Sequence, residues 1–282
     1  MIPTVTNPLG TDYRQPLTLT ALSASSSVTL NATGSPVVSG LKYRTRSGSW
    51  QTYTTGTTVS LPSPGDYVQF WNTAGQLSTG ILDCVQFAMT GTIAGSGNVQ
   101  SLLNFSMQAP YSCFYKLFLG CASLIYPPEF PATTLSGACY YNTFYDCSAL
   151  LTAPALPATA LAGECYKYMF YHCSSLTAMP ALPATALSYH CYKDMFNGCT
   201  SMASMAVLPA PVLAANCYED MFINCRSLTG IEVNFTSWTG FTNATNNWVY
   251  GVSAAGTFTK PADLPEEYGA SRIPTGWTII NK

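Results

Sequence analysis

Cys165-Tyr166-Lys167-Tyr168-Met169-Phe170-Tyr171-His172-Cys173-Ser174-Ser175-Leu176 is followed, 26 residues on, by Cys191-Tyr192-Lys193-Asp194-Met195-Phe196-Asn197-Gly198-Cys199-Thr200-Ser201-Met202. The cysteines carry the repeat in both directions. One series is Cys113, Cys139, Cys165, Cys191 and Cys217; the other is Cys121, Cys147, Cys173, Cys199 and Cys225; only Cys84 stands outside them. An aromatic follows each first cysteine (Phe114, Tyr140, Tyr166, Tyr192, Tyr218), and a phenylalanine precedes each second by three (Phe118, Phe144, Phe170, Phe196, Phe222). A unit of this size cannot bury its own apolar face, so the units must stack, with like residues above like.

Within Cys165 to Cys173 the apolar residues fall at positions zero, one, four, five and eight, a spacing that suits a short helix or helical turn. The Pro-rich part after it, Ala178-Met179-Pro180-Ala181-Leu182-Pro183-Ala184, cannot be helix interior, because proline lacks an N–H and clashes with the preceding turn. It is expected as extended chain with a short strand. At about 4.8 Å per strand, five coils make a solenoid only about 20–25 Å long.

Residues 1–97 lack the 26-residue spacing. Short alternating segments predict seven strands there: Leu17–Thr20, Ser27–Leu30, Leu41–Thr45, Trp50–Tyr53, Thr58–Leu61, Tyr67–Trp71 and Cys84–Phe87. Turns such as Pro62-Ser63-Pro64-Gly65-Asp66 separate them, the pattern of an antiparallel sandwich, immunoglobulin-like. Residues 98–233 form the repeat, and 234–282 a C-terminal cap with Trp238, Trp248 and Trp277 as its large apolar bodies. The expected fold is mainly β with short helices: an Ig-like sandwich, a five-coil solenoid and a cap that protects its end.

The M-F-x-x-C-x-S-L core at Met169–Leu176 and Met195–Met202 resembles the BspA-like (Treponema pallidum type) leucine-rich repeat. The L-P-A-T-x-L linker at Leu156–Leu161 and Leu182–Leu187 is similar to a subtype found in gut Bacteroidetes and their phages. The likeness covers about residues 98–235 and lapses at Met202, Ala206 and Pro211. It implies a right-handed repeat solenoid used for surface recognition, with no catalytic residue to carry over.

Composition excludes several alternatives. Charged residues are 9% of 282, and Lys+Arg 11 against Asp+Glu 13 leaves a net charge of −2. Neither a charged disordered tail nor a nucleic-acid binder working through a basic field fits that balance. No apolar run reaches the roughly 18–20 residues of a membrane span, so no membrane insertion is expected. The opening Met1-Ile2-Pro3-Thr4-Val5-Thr6-Asn7-Pro8 lacks the basic and apolar regions of a secretory signal. The Asn-x-Ser/Thr sequences at Asn31, Asn104, Asn234 and Asn243 are expected by chance in so Thr- and Ser-rich a chain.

His172 and His190, the only histidines, lie beside Cys173 and Cys191. A Cys-His nucleophile or zinc site would need a thiolate with an imidazole in reach, yet the cysteines recur in every coil and the histidines do not. Structural thiols are therefore favoured over catalysis or metal, and free thiols over one disulfide per coil. Gly91–Gly97 matches no phosphate-binding pattern, no carboxylate pair stands out, and Lys42, Arg44 and Arg46 read as the solvated side of a strand. The sequence thus assigns no catalytic residue, metal or cofactor.

What remains is surface. Tyr141 and Tyr145, then Lys167, Tyr168, Tyr171 and His172, then Lys193, Asp194 and Asn197 lie between the core positions. Aromatic faces with amides and carboxylates suit sugar or protein recognition. The expected protein is a non-enzymatic adhesion or receptor-binding component of a phage virion, a tail-fibre or decoration protein, homo-oligomeric (a trimer in a fibre), whose partner is a glycan or protein of the host-cell surface. The alternatives are a BspA-like adhesin on a bacterial cell surface and a glycan-active enzyme with a cleft where sandwich and solenoid join.

Overall fold

A computed structural model of the chain describes residues 14–203 and 205–282. The opening stretch on which the targeting expectation rests lies outside the described residues. Alternating residues drive the first part into β1 (Leu17–Ala21), β2 (Ser26–Thr33), β3 (Leu41–Thr45), β4 (Gln51–Thr52), β5 (Thr58–Leu61), β6 (Tyr67–Asn72), β7 (Cys84–Thr90) and β8 (Ile93–Ser96). In β1, Leu17, Leu19 and Ala21 are buried and Thr18 and Thr20 are not, the period of two that a strand requires. Further on come β9 (Gln108–Ala109), β10 (Leu124–Tyr126), β11 (Thr134–Leu135), β12 (Ala206–Leu208), β13 (Gly230–Val233), β14 (Thr257–Lys260) and β15 (Thr278–Asn281).

The chain is mainly β, in several sheets and without a barrel. One sheet has the order β5-β2-β7, and another β10-β8-β1-β6-β3-β4. They share a core in which Phe70 of β6 meets Phe87 of β7 edge to face at 5.2 Å. β10 joins β8 in parallel, Leu124 beside Ile93, so one sheet crosses from residues before 97 to residues after it. No helix among the described residues is long and apolar enough to cross a membrane.

The expected short helices are corrected. Among the described residues the one helical element is the 3-10 turn Val99–Leu103, and the Cys-to-Cys segments are runs of overlapping turns. Tyr115, Leu117, Leu119 and Cys121 each donate their N–H to the carbonyl three residues back. The residues between them, Phe114, Lys116, Phe118 and Gly120, donate instead to the carbonyls of Cys139, Tyr141, Thr143 and Tyr145 on the next coil, at 2.7–3.1 Å. The same alternation joins each later coil to the one after it, as from Tyr166 to Cys191 and from Phe196 to Met221. Most N–H groups in the ribbon thereby find a carbonyl without helix or strand.

That geometry puts every fourth residue in the left-handed region: Ser112 and Lys116; Ala138, Asn142 and Asp146; Glu164, Tyr168 and His172; His190 and Asp194; Asn216, Asp220 and Asn224, with φ between 52° and 60°, and Gly120 and Gly198 at the equivalent places. A period of four with inward pairs at zero, one, four, five and eight imitates a helical pattern over so short a span, which is why the sequence reads as helix. Only Gly, and to a lesser degree Asn and Asp, takes this conformation at low cost, so those residues collect here.

Side chains follow the ladder. Phe118, Phe144, Phe170, Phe196 and Phe222 stack with centroids 5.3–6.0 Å apart and planes within 7°, and Phe87 of β7 caps the near end at 5.2 Å. Phe114, Tyr140, Tyr166, Tyr192 and Tyr218 make a second stack at 5.7–5.9 Å. All eleven cysteines are buried and free. Cys147, Cys173, Cys199 and Cys225 donate their S–H to the carbonyls of Phe118, Phe144, Phe170 and Phe196 on the preceding coil, at 3.0–3.1 Å. A thiol here is a small apolar filler whose proton is used, a role a disulfide would abolish.

The stacking runs on past residue 233. Asn216, Tyr218, Asp220, Phe222 and Asn224 donate to Thr242, Ala244, Asn246, Trp248 and Tyr250, and positive φ recurs at Asn243, Asn247 and Gly251. β12, β13, β14 and β15 form a parallel sheet beside it. Trp248 closes both ring stacks, 6.2 Å from Tyr218 and 6.3 Å from Phe222. Trp238, Trp248 and Trp277 are buried and each indole N–H reaches a backbone carbonyl, so they are core.

A left-handed position tests this ribbon directly. Asn142→Val should lower the urea unfolding free energy by about 1–2 kcal/mol, because a β-branched residue is strained at positive φ, whereas Asn142→Gly should stay close to the parent. Equal losses in both variants would mean that the backbone there is not left-handed.

Candidate functional site

The outward positions of the turn ribbon repeat with the coils, so residues 26 apart in sequence become neighbours. Tyr115, Tyr141, Lys167, Lys193 and Glu219 make one outward row, and Leu119, Tyr145, Tyr171, Asn197 and Ile223 another. Of the residues expected to bind, Tyr141, Tyr145, Lys167, Tyr168, Tyr171 and His172 come together on two adjacent coils. Tyr145 stacks on Tyr171 at 4.6 Å with planes 9° apart, Tyr168 meets Tyr141 at 5.7 Å and Tyr171 at 5.5 Å, and His172 lies 4.1 Å from the Tyr171 ring. Lys167 Nζ sits 5.1 Å over Tyr141 and 5.8 Å over Tyr168.

Lys167 is held in place. Its Nζ donates to Glu164 Oε1 at 2.8 Å, and although burial alone would lower its pKa, that hydrogen bond and the neighbouring charges raise it. Burial raises the pKa values of Tyr141 and Tyr168, helped at Tyr168 by the carboxylate of Asp194. All four tyrosines are therefore neutral hydroxyl donors at physiological pH. His172 is exposed beside Asp146, Nδ1 to Oδ1 3.2 Å. A Cβ at position 198 would lie 2.2 Å from the His172 ring, so Gly198 makes room for that imidazole.

Lys193, Asp194 and Asn197 go elsewhere. Asp194 and Asn197 are buried and tied together, Asn197 Nδ2 donating to Asp194 Oδ1 at 2.8 Å. Lys193 Nζ pairs with Glu219 at 2.7 Å, and Asn216 donates to the same carboxylate oxygen at 2.7 Å. These three brace the base of the tyrosine face more than they present groups to a ligand. Sequence reasoning missed Tyr115, whose ring is 5.4 Å from Tyr141 and extends the aromatic row by one coil, and Glu164. Tyr115 sits in the same repeat row as Tyr141, and that alignment was the signal for it.

The cysteines and histidines do not combine. Cys173 is buried with its S–H turned to Phe144, while His172 points outward to Asp146. Burial raises the Cys173 and Cys191 thiol pKa values well above normal, the reverse of an activated thiolate. Among the described residues no group of three or more His, Cys, Asp or Glu could hold a metal ion.

No protein-family model, curated protein or solved structure matches this chain.

Asp194 supplies a pH test. Burial, opposed by the Asn197 hydrogen bond, pushes its carboxyl up to about 6 from 3.8. A carboxyl whose pKa is higher folded than unfolded costs stability as pH rises from about 4 to about 6, when it ionises in place. Asp194→Asn keeps the shape and suits the left-handed backbone. The variant should melt higher than the parent at pH 7, with the gap closing below pH 4; a gap independent of pH would refute the assignment.

Proposed function

We propose that the chain is a non-enzymatic recognition protein of a phage virion, a tail-fibre or decoration component that attaches to the host-cell surface. The observation that carries this reading is the contiguous face of Tyr141, Tyr145, Tyr168, Tyr171 and His172 around Lys167, set on a ribbon whose backbone is hydrogen-bonded from coil to coil. Aromatic rings give contact area at little entropic cost, and a rigid support keeps that cost low on binding. Neutral hydroxyls and one cation then supply direction and register, as a sugar or a protein loop would need.

The architecture that accompanies this reading is an immunoglobulin-like sandwich followed by a BspA-like leucine-rich-repeat solenoid. The 26-residue coil-to-coil hydrogen bonds and the two sheets with a shared core support it. A glycan or protein of the cell surface is the proposed partner, with several copies per assembly, three in a fibre, adding avidity to a modest single-site affinity.

Binding of fluorescently labelled protein to whole host bacteria tests it. The double change Tyr145→Ala, Tyr171→Ala should reduce binding about tenfold or more, which is about 1.4 kcal/mol, with the thermal midpoint little changed. Leu151→Ala, in the linker segment, should bind like the parent. Undiminished binding by the tyrosine variant would remove this face from the account.

A further inference from the structure

We infer that the outer face of β6, β3 and β4 is a second binding site, for a carboxylate-bearing sugar. It is separate from the tyrosine face and does not rest on it. Pairing of the strands sets Lys42 beside Trp71 and Arg44 beside Gln69 across β3 and β6, and Tyr43 beside Gln51 across β3 and β4, which places Trp50 next to Arg44. The result is a compact group: Lys42 Nζ lies 5.9 Å over Trp71, the Arg44 guanidinium 5.0 Å over Trp50, and the two indoles meet edge to face at 5.8 Å.

Three features separate this group from an ordinary solvated strand face. First, Trp50 and Trp71 are only half-buried, whereas Trp238, Trp248 and Trp277 are buried with their N–H groups bonded to backbone. Second, Lys42, Arg44 and Arg46 take part in no ion pair among the described residues, in a chain of net charge −2. Third, Arg44 is preset. Its Nε donates to Gln69 Oε1 at 2.6 Å, Gln69 Nε2 donates to Thr18 Oγ1 at 3.0 Å, and Thr18 donates to the Pro16 carbonyl at 2.9 Å. That relay uses the inner nitrogen and leaves the outer fork of the guanidinium for a planar anion.

The chemistry of the occupant follows. A half-exposed indole offers area to the C–H face of a pyranose ring, and Thr52, paired with Lys42 across β3 and β4, adds a hydroxyl beside it. A guanidinium fork matches a carboxylate with two parallel hydrogen bonds, and Lys42 adds a second positive charge. A carboxylate attached directly to the sugar ring keeps its charge close to the stacked face, as the short distance between guanidinium and indole demands. Two or three cations are too few to track a nucleic-acid backbone.

Titration calorimetry of the whole chain with an oligogalacturonate, its uncharged galactan counterpart and dextran sulfate tests this. The oligogalacturonate should bind, more weakly as salt rises, and the uncharged chain should bind at least about tenfold less tightly. Arg44→Lys, which keeps the charge and loses the fork, and Trp50→Ala should each lower the affinity about tenfold with an unchanged circular dichroism spectrum. The Tyr145→Ala, Tyr171→Ala protein should bind the oligogalacturonate like the parent. No binding, equal binding of the uncharged chain, preference for dextran sulfate, or full affinity in Arg44→Lys would each overturn the proposal.

Discussion

The constraint on which the rest of the structure depends is the hydrogen bond from every second N–H of one turn ribbon to a carbonyl of the next coil. A ribbon of turns by itself would leave half its N–H groups unpaired, and buried unpaired donors cost about 1–3 kcal/mol each. Stacking removes that cost. It also ties the register to the repeat length, because each acceptor on the next coil lies one residue short of a full step from its donor. The step of 26 satisfies this for five coils, and the step of 27 into Asn243, Asn247 and Gly251 is accommodated by shifting the acceptors to Thr242, Ala244, Asn246 and Trp248.

Once the backbones are locked in register, the side chains have little choice. Rings lie over rings, thiols lie against the carbonyls of the previous coil, and the outward residues form straight rows. The tyrosine face is a by-product of that register: Tyr145 and Tyr171 are a whole coil apart in sequence and 4.6 Å apart in space. Binding chemistry can then change by substitution in one row without disturbing the core. The Trp50 and Trp71 group on the six-stranded sheet reaches a similar rigidity by another route, cross-strand pairing with a hydrogen-bonded relay behind it.

Much of this was legible from the residues. The two cysteine series marked the coils, alternating segments marked β1 to β7, and the outward tyrosines were visible as the variable positions between core residues. The turn ribbon was not. Its pattern of inward pairs has a period of four, which over nine residues cannot be told from the 3.6 of a helix by spacing alone. The distinguishing clue was chemical: Asn142, Asp146, Asp194, Gly198, Asn216, Asp220 and Asn224 recur where the chain takes a positive φ. Of these, Asp194 was read with Asn197 as a ligand-binding polar group, and the two are buried and bonded to each other. The sixth layer was hidden because Ala244 and Val252 replace the cysteines that had marked the coils.

Amide hydrogen exchange resolved residue by residue tests the central claim most directly. If the coil-to-coil ladder holds the fold, the N–H groups of Tyr140, Asn142, Phe144 and Asp146 are protected as strongly as those of β2, although they lie in neither helix nor strand. Exchange of these four amides at the rate of an open loop, with β2 still protected, would contradict it.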